Sequence, residues 1–456
     1  PLSREDRARL EFVLNRPLDL SIAPQTAVNE WLQELYGVSV ESMIADLSRE
    51  VGESEDVETQ LHDLRDLTQE PTLINLVNMI IADACEARAS DIHIEPFEST
   101  LTVRYRIDGI LHECPPPPKQ FQSAIVSRVK IMAGMDIAER FVPQDGQIRV
   151  NIQGQLVDIR VSTVPTVYGE SVVMRLLRKD ESLIKLSSLG LAADTLARYT
   201  ELLALPHGII LTCGPTGSGK STTLYASLMQ IYSPRKKIIT IEDPVEYKIQ
   251  GINQIPVRPK RGLTFATGLR AIVRQDPDVI MVGEIRDRET ADIAIRSALT
   301  GHLVFSTLHT NDAPGAITRL LDMGVEPFLV ASSLQGAMGQ RLVRRLCPHC
   351  RVRVRPDTTL RDKFAVDELP EFIWNAREKG ECEACLGHGY HGRIGIYELL
   401  TMDEQLHEMI LHESSSAEIK KVAHGRMRTM REDGWEKVKQ GITTATEVLQ
   451  ATQLDT

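Results

Sequence analysis

One short stretch constrains this 456-residue chain more than any other, the sequence Gly214-Pro215-Thr216-Gly217-Ser218-Gly219-Lys220-Ser221. It matches the pattern G-x-x-x-x-G-K-[ST], in which glycines let backbone N–H groups turn inward around phosphate oxygens. An apolar segment at 207–213 predicts a buried strand before it, and residues 220–231 predict a helix behind it. A helix that begins there directs the positive end of its dipole at an anion. The chain therefore contains a phosphate-binding loop between a strand and a helix.

The chemistry of the loop residues predicts their roles. Lys220 places its ammonium against the β- and γ-phosphates of a nucleotide, and the Ser221 hydroxyl reaches the accompanying Mg²⁺. We therefore expect ATP and Mg²⁺ as ligands. The predicted nucleotide-binding residues are Gly214, Pro215, Thr216, Gly217, Ser218, Gly219, Lys220, Ser221 and Thr222.

Two further predicted strands end in acidic residues. The apolar run 279–282 leads through Gly283 to Glu284, and the run 239–241 leads to Glu242. Ligands of open α/β sheets bind at the carboxyl ends of the strands, where a carboxylate faces Mg²⁺ and the attacking water. We predict this catalytic role for Glu284 and the polarisation of water for Glu242. The alternatives are an exposed loop charge for Glu284 and a helix-capping acid for Glu242.

A third predicted strand, at 303–307, is followed by His309. At the same edge of the sheet, its imidazole can hydrogen-bond the γ-phosphate and sense its presence. A lone histidine is otherwise usually structural. We predict the phosphate-sensing role because of the position after the strand.

The remainder of the chain divides by sequence pattern. Residues 71–180 combine an apolar-faced helix with alternating strand segments and predict a small α+β domain. Residues 181–190 read as a linker. Strands alternate with helices in residues 191–456, which is typical of a parallel sheet covered on both faces. The last part, 396–456, is predicted to be a helical tail.

Two C-x-x-C pairs lie within residues 341–395, and their members are Cys347, Cys350, Cys382 and Cys385. In a chain without an export signal this spacing favours zinc over disulfides. Two such pairs supply the four thiolates of a closed, structural zinc site. Free thiols are the alternative. Neighbouring arginines would offset the negative charge of the site or contact anionic lipid headgroups: Arg341, Arg344, Arg345, Arg351, Arg353 and Arg355.

The charge distribution bears on partners and compartment. The net charge is −11, and residues 1–70 hold sixteen acidic residues against six arginines and no lysine. An acidic segment of this kind is a solvated face or a docking surface for a partner. The overall charge argues against a nucleic-acid binder, which usually has a basic stripe. No apolar run is long enough to span a membrane, and Pro1 does not open a signal peptide. These features predict a cytoplasmic protein, and the missing initiator Met fits a truncated chain.

Taken together, the motifs resemble the secretion ATPase superfamily, and the resemblance covers residues 71–456. Besides the phosphate loop, three stretches carry it, namely Ala89–Pro96, Arg104–Gly109 and Arg274–Asp287. Residues 306–312 complete the set. The type II secretion branch is the better match, on the stretch 262–266 and the four cysteines, and the type IV pilus assembly branch is the alternative.

The resemblance implies an α/β P-loop (RecA-like) ATPase domain preceded by a smaller α+β (PAS-like) domain. It also implies a homohexamer with ATP between the two domains of each protomer. Residues 1–70 resemble the end of an N-terminal domain that docks on inner-membrane secretion-platform proteins. The protein is therefore expected to be peripheral on the inner membrane through its partners, and to drive protein export with ATP.

The same resemblance places γ-phosphate contacts at Arg160 and Arg175, both on predicted strands of the α+β domain. A guanidinium matches phosphate oxygens and stabilises the charge that builds up during transfer. The alternative for each is a surface arginine paired with an acid. Two other functions stay open from the sequence, a nucleic-acid motor on a similar core and a zinc-bearing scaffold that binds nucleotide without turnover. Intact Lys220, Glu242 and Glu284 argue against the scaffold.

Overall fold

The structure, a computed structural model, describes residues 44, 71–152, 154–178, 185–377 and 382–453. The helical acidic segment predicted for residues 1–70 lies outside this part except for residue 44. The chain divides into two compact units, Pro1–Leu176 and Leu177–Thr456. Among the described residues, no helix combines the length and the apolar character needed to cross a bilayer.

In its described residues, the first unit is a six-stranded sheet with two helices, in the strand order β3-β2-β1-β6-β5-β4. Strand β1 pairs antiparallel with both β2 and β6. The helices are α1 (Pro71–Glu86) and α2 (Gln122–Ala133), and the strands are β1 (Asp91–Pro96), β2 (Leu101–Ile107), β3 (Ile110–Cys114), β4 (Gln144–Ile152), β5 (Gln155–Thr166) and β6 (Gly169–Arg178). The α+β composition matches the prediction, and the PAS-like description stays a prediction.

Burial follows the sequence periodicity in this unit. The apolar face predicted for α1 is fully buried, from Leu73 to Ala84, because positions three and four apart lie on one side of a helix. Alternate residues of the strands, such as Ile92 and Ile94 of β1, complete the same core. Helix α2 ends at Ala133, because Gly134 adopts a left-handed conformation with φ of 68°.

The second unit is built on a seven-stranded sheet with the order β15-β12-β7-β11-β10-β8-β9. The strands of this sheet are β7 (Gly208–Cys213), β8 (Ile238–Glu242), β9 (Asn253–Pro256), β10 (Val279–Val282), β11 (Leu303–Leu308), β12 (Leu334–Leu346) and β15 (Tyr390–Thr401). Strands β13 (Val352–Val354) and β14 (Ile373–Asn375) form a separate two-stranded ribbon. Strands β12, β7, β11, β10, β8 and β9 run parallel, and β15 is antiparallel to β12.

Helices cover both faces of this sheet. The helices of the unit are α3 (Ala193–Leu203), α4 (Lys220–Ile231), α5 (Phe265–Ile272), α6 (Arg288–Leu299), α7 (Pro314–Asp322), α8 (Pro327–Ser333), α9 (Thr359–Phe364), α10 (Glu404–Leu411), α11 (Ser416–His424), α12 (Met430–Lys439) and α13 (Ala445–Ala451). Of these, α9 packs with Ile373 of β14 and Trp435 of α12. One core contains Ile209 and Leu211 of β7, and the other contains Ile210 of the same strand. Strands buried on both faces have continuous apolar sequences, which is why the sequence predicted them well.

The predicted starts of the cysteine-containing segment, 341–395, and of the tail, 396–456, lie within two long strands. Positions 341 and 396 fall inside β12 and β15, which belong to the main sheet. Both strands contain glycine and arginine in place of a continuous apolar run, so their sheet character was not evident. The cysteine pairs and the ribbon of β13 and β14 therefore form an excursion between two neighbouring strands of one sheet. The tail helices begin only at Glu404.

Candidate nucleotide site

The sheet brings the predicted residues to one edge through its parallel register. Val282, the last residue of β10, lies beside Ser306 of β11, which in turn lies beside Leu211 of β7. Backbone hydrogen bonds continue past the strands, where the Gly214 N–H donates to Leu308 O at 3.3 Å. The phosphate loop, Glu284 and His309 therefore all follow strands that end at the same edge.

The loop has the backbone that its glycines permit. Gly217 and Gly219 have φ of 81° and 88°, a region that side chains rarely adopt. At Gly214, a Cβ atom would lie 2.6 Å from the carbonyl oxygen of Gln340 and 2.5 Å from Ser218 Oγ. Helix α4 starts directly behind the loop, and no side chain caps its first turn. Its first N–H groups are therefore available to an anion, as the motif predicted.

Lys220 is folded back onto the loop. Its Nζ donates hydrogen bonds to Gly214 O at 2.7 Å and Pro215 O at 3.0 Å. Burial lowers the pKa of the Lys220 ammonium, while the negative charge of Glu284 acts in the opposite direction. The two loop carbonyls thus accept the hydrogen bonds that phosphate oxygens would accept from this side chain.

Glu284 is held by two neighbours. Arg286 Nη2 lies 2.6 Å from one carboxylate oxygen, and His309 Nε2 lies 3.4 Å from the other. The side chain of Glu284 is only 12% exposed, so the alternative of an exposed loop charge is wrong. The role predicted for His309 is not tested by this contact, since its nearest partner is Glu284. His302, at the other end of β11, contacts Ser297 O through Nδ1 at 2.8 Å.

Glu242 has quite different surroundings. It ends β8 and is 4% exposed. One carboxylate oxygen accepts hydrogen bonds from Thr240 Oγ1 at 2.5 Å and Gln254 Nε2 at 3.1 Å, and the other accepts the Tyr225 hydroxyl. Glu242 does not cap a helix in this structure. Both of its oxygens thus accept hydrogen bonds from side chains in the interior, and its predicted role stays a prediction.

The four cysteines come together. Their Sγ atoms all lie within 4.8 Å of one another, with 3.9 Å between Cys347 and Cys382 and 3.6 Å between Cys350 and Cys385. Zinc–sulfur bonds of about 2.3 Å in a tetrahedron place sulfur atoms about 3.8 Å apart. The cluster therefore has the ligand type, number and spacing of a Cys₄ zinc site.

The arginines near the cysteines are mostly occupied by protein contacts. Arg344 pairs with Glu447 at 2.7 Å and stacks on Tyr390, and Arg351 stacks on Trp374. Arg341 is buried next to the phosphate loop rather than at the cluster. This arrangement argues against a common lipid-binding surface for the six residues.

Arg160 and Arg175 both lie on the face of the first unit's sheet that points away from its core. Buried residues alternate with them on β5 and β6. Arg175 Nε donates to Asp91 Oδ1 at 2.9 Å, while the Arg175 side chain remains 62% exposed. Burial opposes ionisation of Asp91, but hydrogen bonds from Arg175 and Ser90 outweigh it and hold the pKa of Asp91 below its usual value. The predicted phosphate contacts of the two arginines are not tested.

Sequence reasoning missed two residues that shape this site, Gln340 on β12 and Tyr225 on α4. Gln340 bridges the loop and the first turn of α4, and Tyr225 binds Glu242. Neither belongs to a recognisable local motif. Both contacts are made across the fold, so only the sheet order could have identified them.

Comparison with known proteins agrees with this site. Residues 66–450 match the family described as "Type II/IV secretion system protein". The chain is 50% identical over 395 residues to "Type II secretion system ATPase E" of Vibrio cholerae, which covers 86% of this chain and 78% of the relative. It is 47% identical over 444 residues to "Type II secretion system protein E" of Pseudomonas aeruginosa, covering 97% and 86%.

A solved structure of the pilus retraction motor PilT with bound ADP also matches. The TM-score is 0.56 at 27% identity, and the match covers 82% of this chain and 95% of that chain. The α/β ATPase fold and the resemblance drawn from the motifs are thereby confirmed. The chain belongs to the type II/IV secretion system protein family, and within it is a type II secretion ATPase.

Proposed function

We propose that this chain hydrolyses ATP at the edge formed by the phosphate loop, Glu284 and His309, and that the reaction drives protein export through a type II secretion system. The observation that carries the proposal is the convergence of Lys220 and Glu284 at one sheet edge in a chain of this family. A cation at the phosphates and a residue that positions the attacking nucleophile are recurring parts of phosphoryl-transfer sites.

Lys220 first exchanges partners. Its ammonium leaves Gly214 O and Pro215 O for the β- and γ-phosphate oxygens, while loop N–H groups and the start of α4 bind the same anion. The exchange replaces two neutral acceptors by charged ones, and hydrogen bonds to charged groups are the stronger kind. Mg²⁺, held through the Ser221 hydroxyl, would neutralise phosphate charge.

Glu284 then orients the attacking water. Its carboxylate is partly buried and fixed by Arg286 and His309, so it keeps one orientation as charge develops. His309 contacts Glu284 and its side chain is 48% exposed, which leaves its ring able to turn toward a γ-phosphate. We assign Glu242 the secondary task of polarising water.

The finer parts of the proposal concern other sites. One zinc holds the cysteine cluster, and its four ligands leave no open position for catalysis. Arg160 and Arg175, in a PAS-like first domain, contact the γ-phosphate of the nucleotide and stabilise the transition state. The protein works as a homohexamer in the cytoplasm, docked on inner-membrane platform proteins through its N-terminal region. Pseudopilus assembly is the step it would power.

Other functions are less well supported. Type IV pilus assembly would use the same chemistry, but the two relatives described above are type II proteins. A nucleic-acid motor fits poorly with a net charge of −11. A scaffold without turnover fits poorly with an intact Lys220 and a fixed Glu284.

A phosphate-release assay on the assembled oligomer tests the proposal. The wild-type protein should hydrolyse ATP, and Lys220→Ala should not, because the phosphate charge loses its counterion. Single-stranded DNA should leave the rate unchanged. Wild-type-like turnover by Lys220→Ala would reject the site, and stimulation by DNA would favour the nucleic-acid motor.

A further inference from the structure

Gln340 lies where the phosphate loop leaves its strand. It belongs to β12, which runs parallel to β7 with Gly339 beside Cys213. The residues that follow this pair in sequence are Gln340 on β12 and Gly214, the first residue of the loop. Gln340 is 1% exposed, and it carries a polar side chain into the interior, which is costly unless its hydrogen bonds are made.

The Gln340 amide makes two hydrogen bonds on opposite sides. Its Nε2 donates to the backbone oxygen of Ser218 at 2.7 Å, and its Oε1 accepts the Thr223 hydroxyl at 2.9 Å. The Ser218 carbonyl identifies which end of the amide is nitrogen, because it can only accept, whereas the Thr223 hydroxyl can donate or accept. One side chain from a distant strand thus joins the loop to the first turn of α4.

The bond to Ser218 has a consequence for the next residue. The peptide between Ser218 and Gly219 is planar, and in the trans form its C=O and N–H point in opposite directions. Gln340 holds the C=O toward the buried wall formed by β12. The Gly219 N–H is therefore turned away from that wall. Gly219 has a φ of 88°, which glycine adopts at little cost.

We propose that Gln340 is a positioning residue for nucleotide binding, which presets the Gly219 N–H as a donor to the diphosphate group of ATP or ADP. Without this bond the peptide can rotate, and its carbonyl then faces the phosphates in place of the N–H. The proposal rests on nucleotide binding by the loop. It concerns the ground state, so the loss should appear in affinity and KM more than in kcat.

The test is titration of the full chain with ADP and Mg²⁺ by calorimetry. Gln340→Met keeps the length and apolar fit of the side chain but cannot donate or accept, and ADP should bind roughly ten-fold more weakly. Gln340→Glu places an oxygen against the Ser218 carbonyl and should bind at least as weakly. Thr223→Val leaves the amide free to turn over and should show a smaller loss of roughly three-fold.

The matched control is Tyr199→Phe, which removes a buried hydrogen bond of 2.9 Å to Ser227 of α4. It should lower thermal stability to a similar degree while ADP affinity stays unchanged. Should Gln340→Glu fail to fold, Gln340→Met and Thr223→Val still decide the matter. ADP affinity and KM for ATP like the wild type in both of these variants would overturn the proposal and leave Gln340 with a structural role only.

Lys220→Ala in the same titration separates this inference from the proposed function. If Lys220→Ala loses ADP binding and Gln340→Met does not, only the role of Gln340 is rejected. If Lys220→Ala binds ADP like the wild type, the loop is not the nucleotide site and both proposals fail.

Discussion

The phosphate-loop edge and the cysteine cluster are both built from short motifs of the second unit. They differ in whether the protein side chains already face one another as a full ligand set or leave room for a separate ligand. At the cluster, four Sγ atoms face one another within 4.8 Å, and the ligand set is closed. At the edge, Lys220 binds loop carbonyls that it must release, and Pro215, Thr216 and Gly217 are exposed. A closed set suits a structural metal, and an open one suits a ligand that must enter, react and leave.

The carboxylates repeat this difference within the edge itself. Glu242 accepts three hydrogen bonds in the protein interior. Glu284 lies at the rim of the nucleotide site, where it contacts the partly exposed side chains of Arg286 and His309. Two acids at neighbouring strand ends therefore do not have equal access to water. The positions of Glu242 and Glu284 after predicted strands identified both as candidate site residues. Only their side-chain contacts in the structure distinguish their surroundings.

The largest expected effect comes from removing the rim carboxylate. Glu284→Gln should lower ATP turnover by roughly 10³-fold, because the neutral amide no longer orients and polarises water, while nucleotide binding is kept. Glu242→Gln is the matched comparison and should cost less, since its carboxylate is already engaged. Phosphate release and ADP titration measure both properties. Near wild-type turnover by Glu284→Gln would contradict its catalytic assignment.

Hydrolysis at the phosphate-loop edge should require positive charge from arginines outside the loop. Arg160→Ala and Arg175→Ala should each lower turnover by as much as roughly 10³-fold, the lower range for arginines that act on a transferring phosphoryl group. Nucleotide binding through the loop should remain. Arg149→Ala is the control, because Arg149 pairs with Asp158 at 2.6 Å on the same sheet. Normal turnover in both test variants would mean that these arginines serve only as surface ion pairs.

Substitution in the cysteine cluster should lower metal content and thermal stability rather than turnover. Cys382→Ser removes one thiolate, so zinc content should fall from about one ion per chain to well below it, and the melting temperature should drop by several degrees. Turnover per folded protein should change little. Cys114→Ser, outside the cluster, should keep its zinc. Metal analysis of unchelated protein and a thermal melt report the result, and zinc-free wild-type protein would refute the Cys₄ site.

The smallest effect concerns pH. Burial lowers the pKa of Lys220, and bound phosphate favours the charged form and raises that pKa again. ADP affinity should therefore be highest below the pKa of the free protein and fall as pH rises through it, beginning below the usual lysine range near 10.4. Titrations at several pH values should also show proton uptake on binding. Lys220→Arg should keep its affinity over this interval, because arginine stays charged, and an equal fall in both would assign the effect to another group.

Sequence reasoning succeeded where a local pattern fixes the structure. The strand of residues 279–282 and the helix of residues 220–231 were predicted with the bounds that the structure has. The sequence pattern did not indicate the long strands β12 and β15, because their glycines and arginines interrupt the apolar run that is typical of a buried strand. These two strands lie at one edge of the sheet, and each is recognised by its neighbours, which come from distant parts of the chain.

The sequence by itself determined the phosphate loop, the acids and histidine that follow the parallel strands, and the two cysteine pairs. Each is a short motif whose residues are close in the chain, so its geometry follows from local backbone rules. Only the tertiary structure decided that Glu242 is enclosed while Glu284 is at the rim, and that Gln340 binds the loop from a strand more than 100 residues away. Burial and long-range hydrogen bonds depend on sheet order, because the order sets which side chains share an interior.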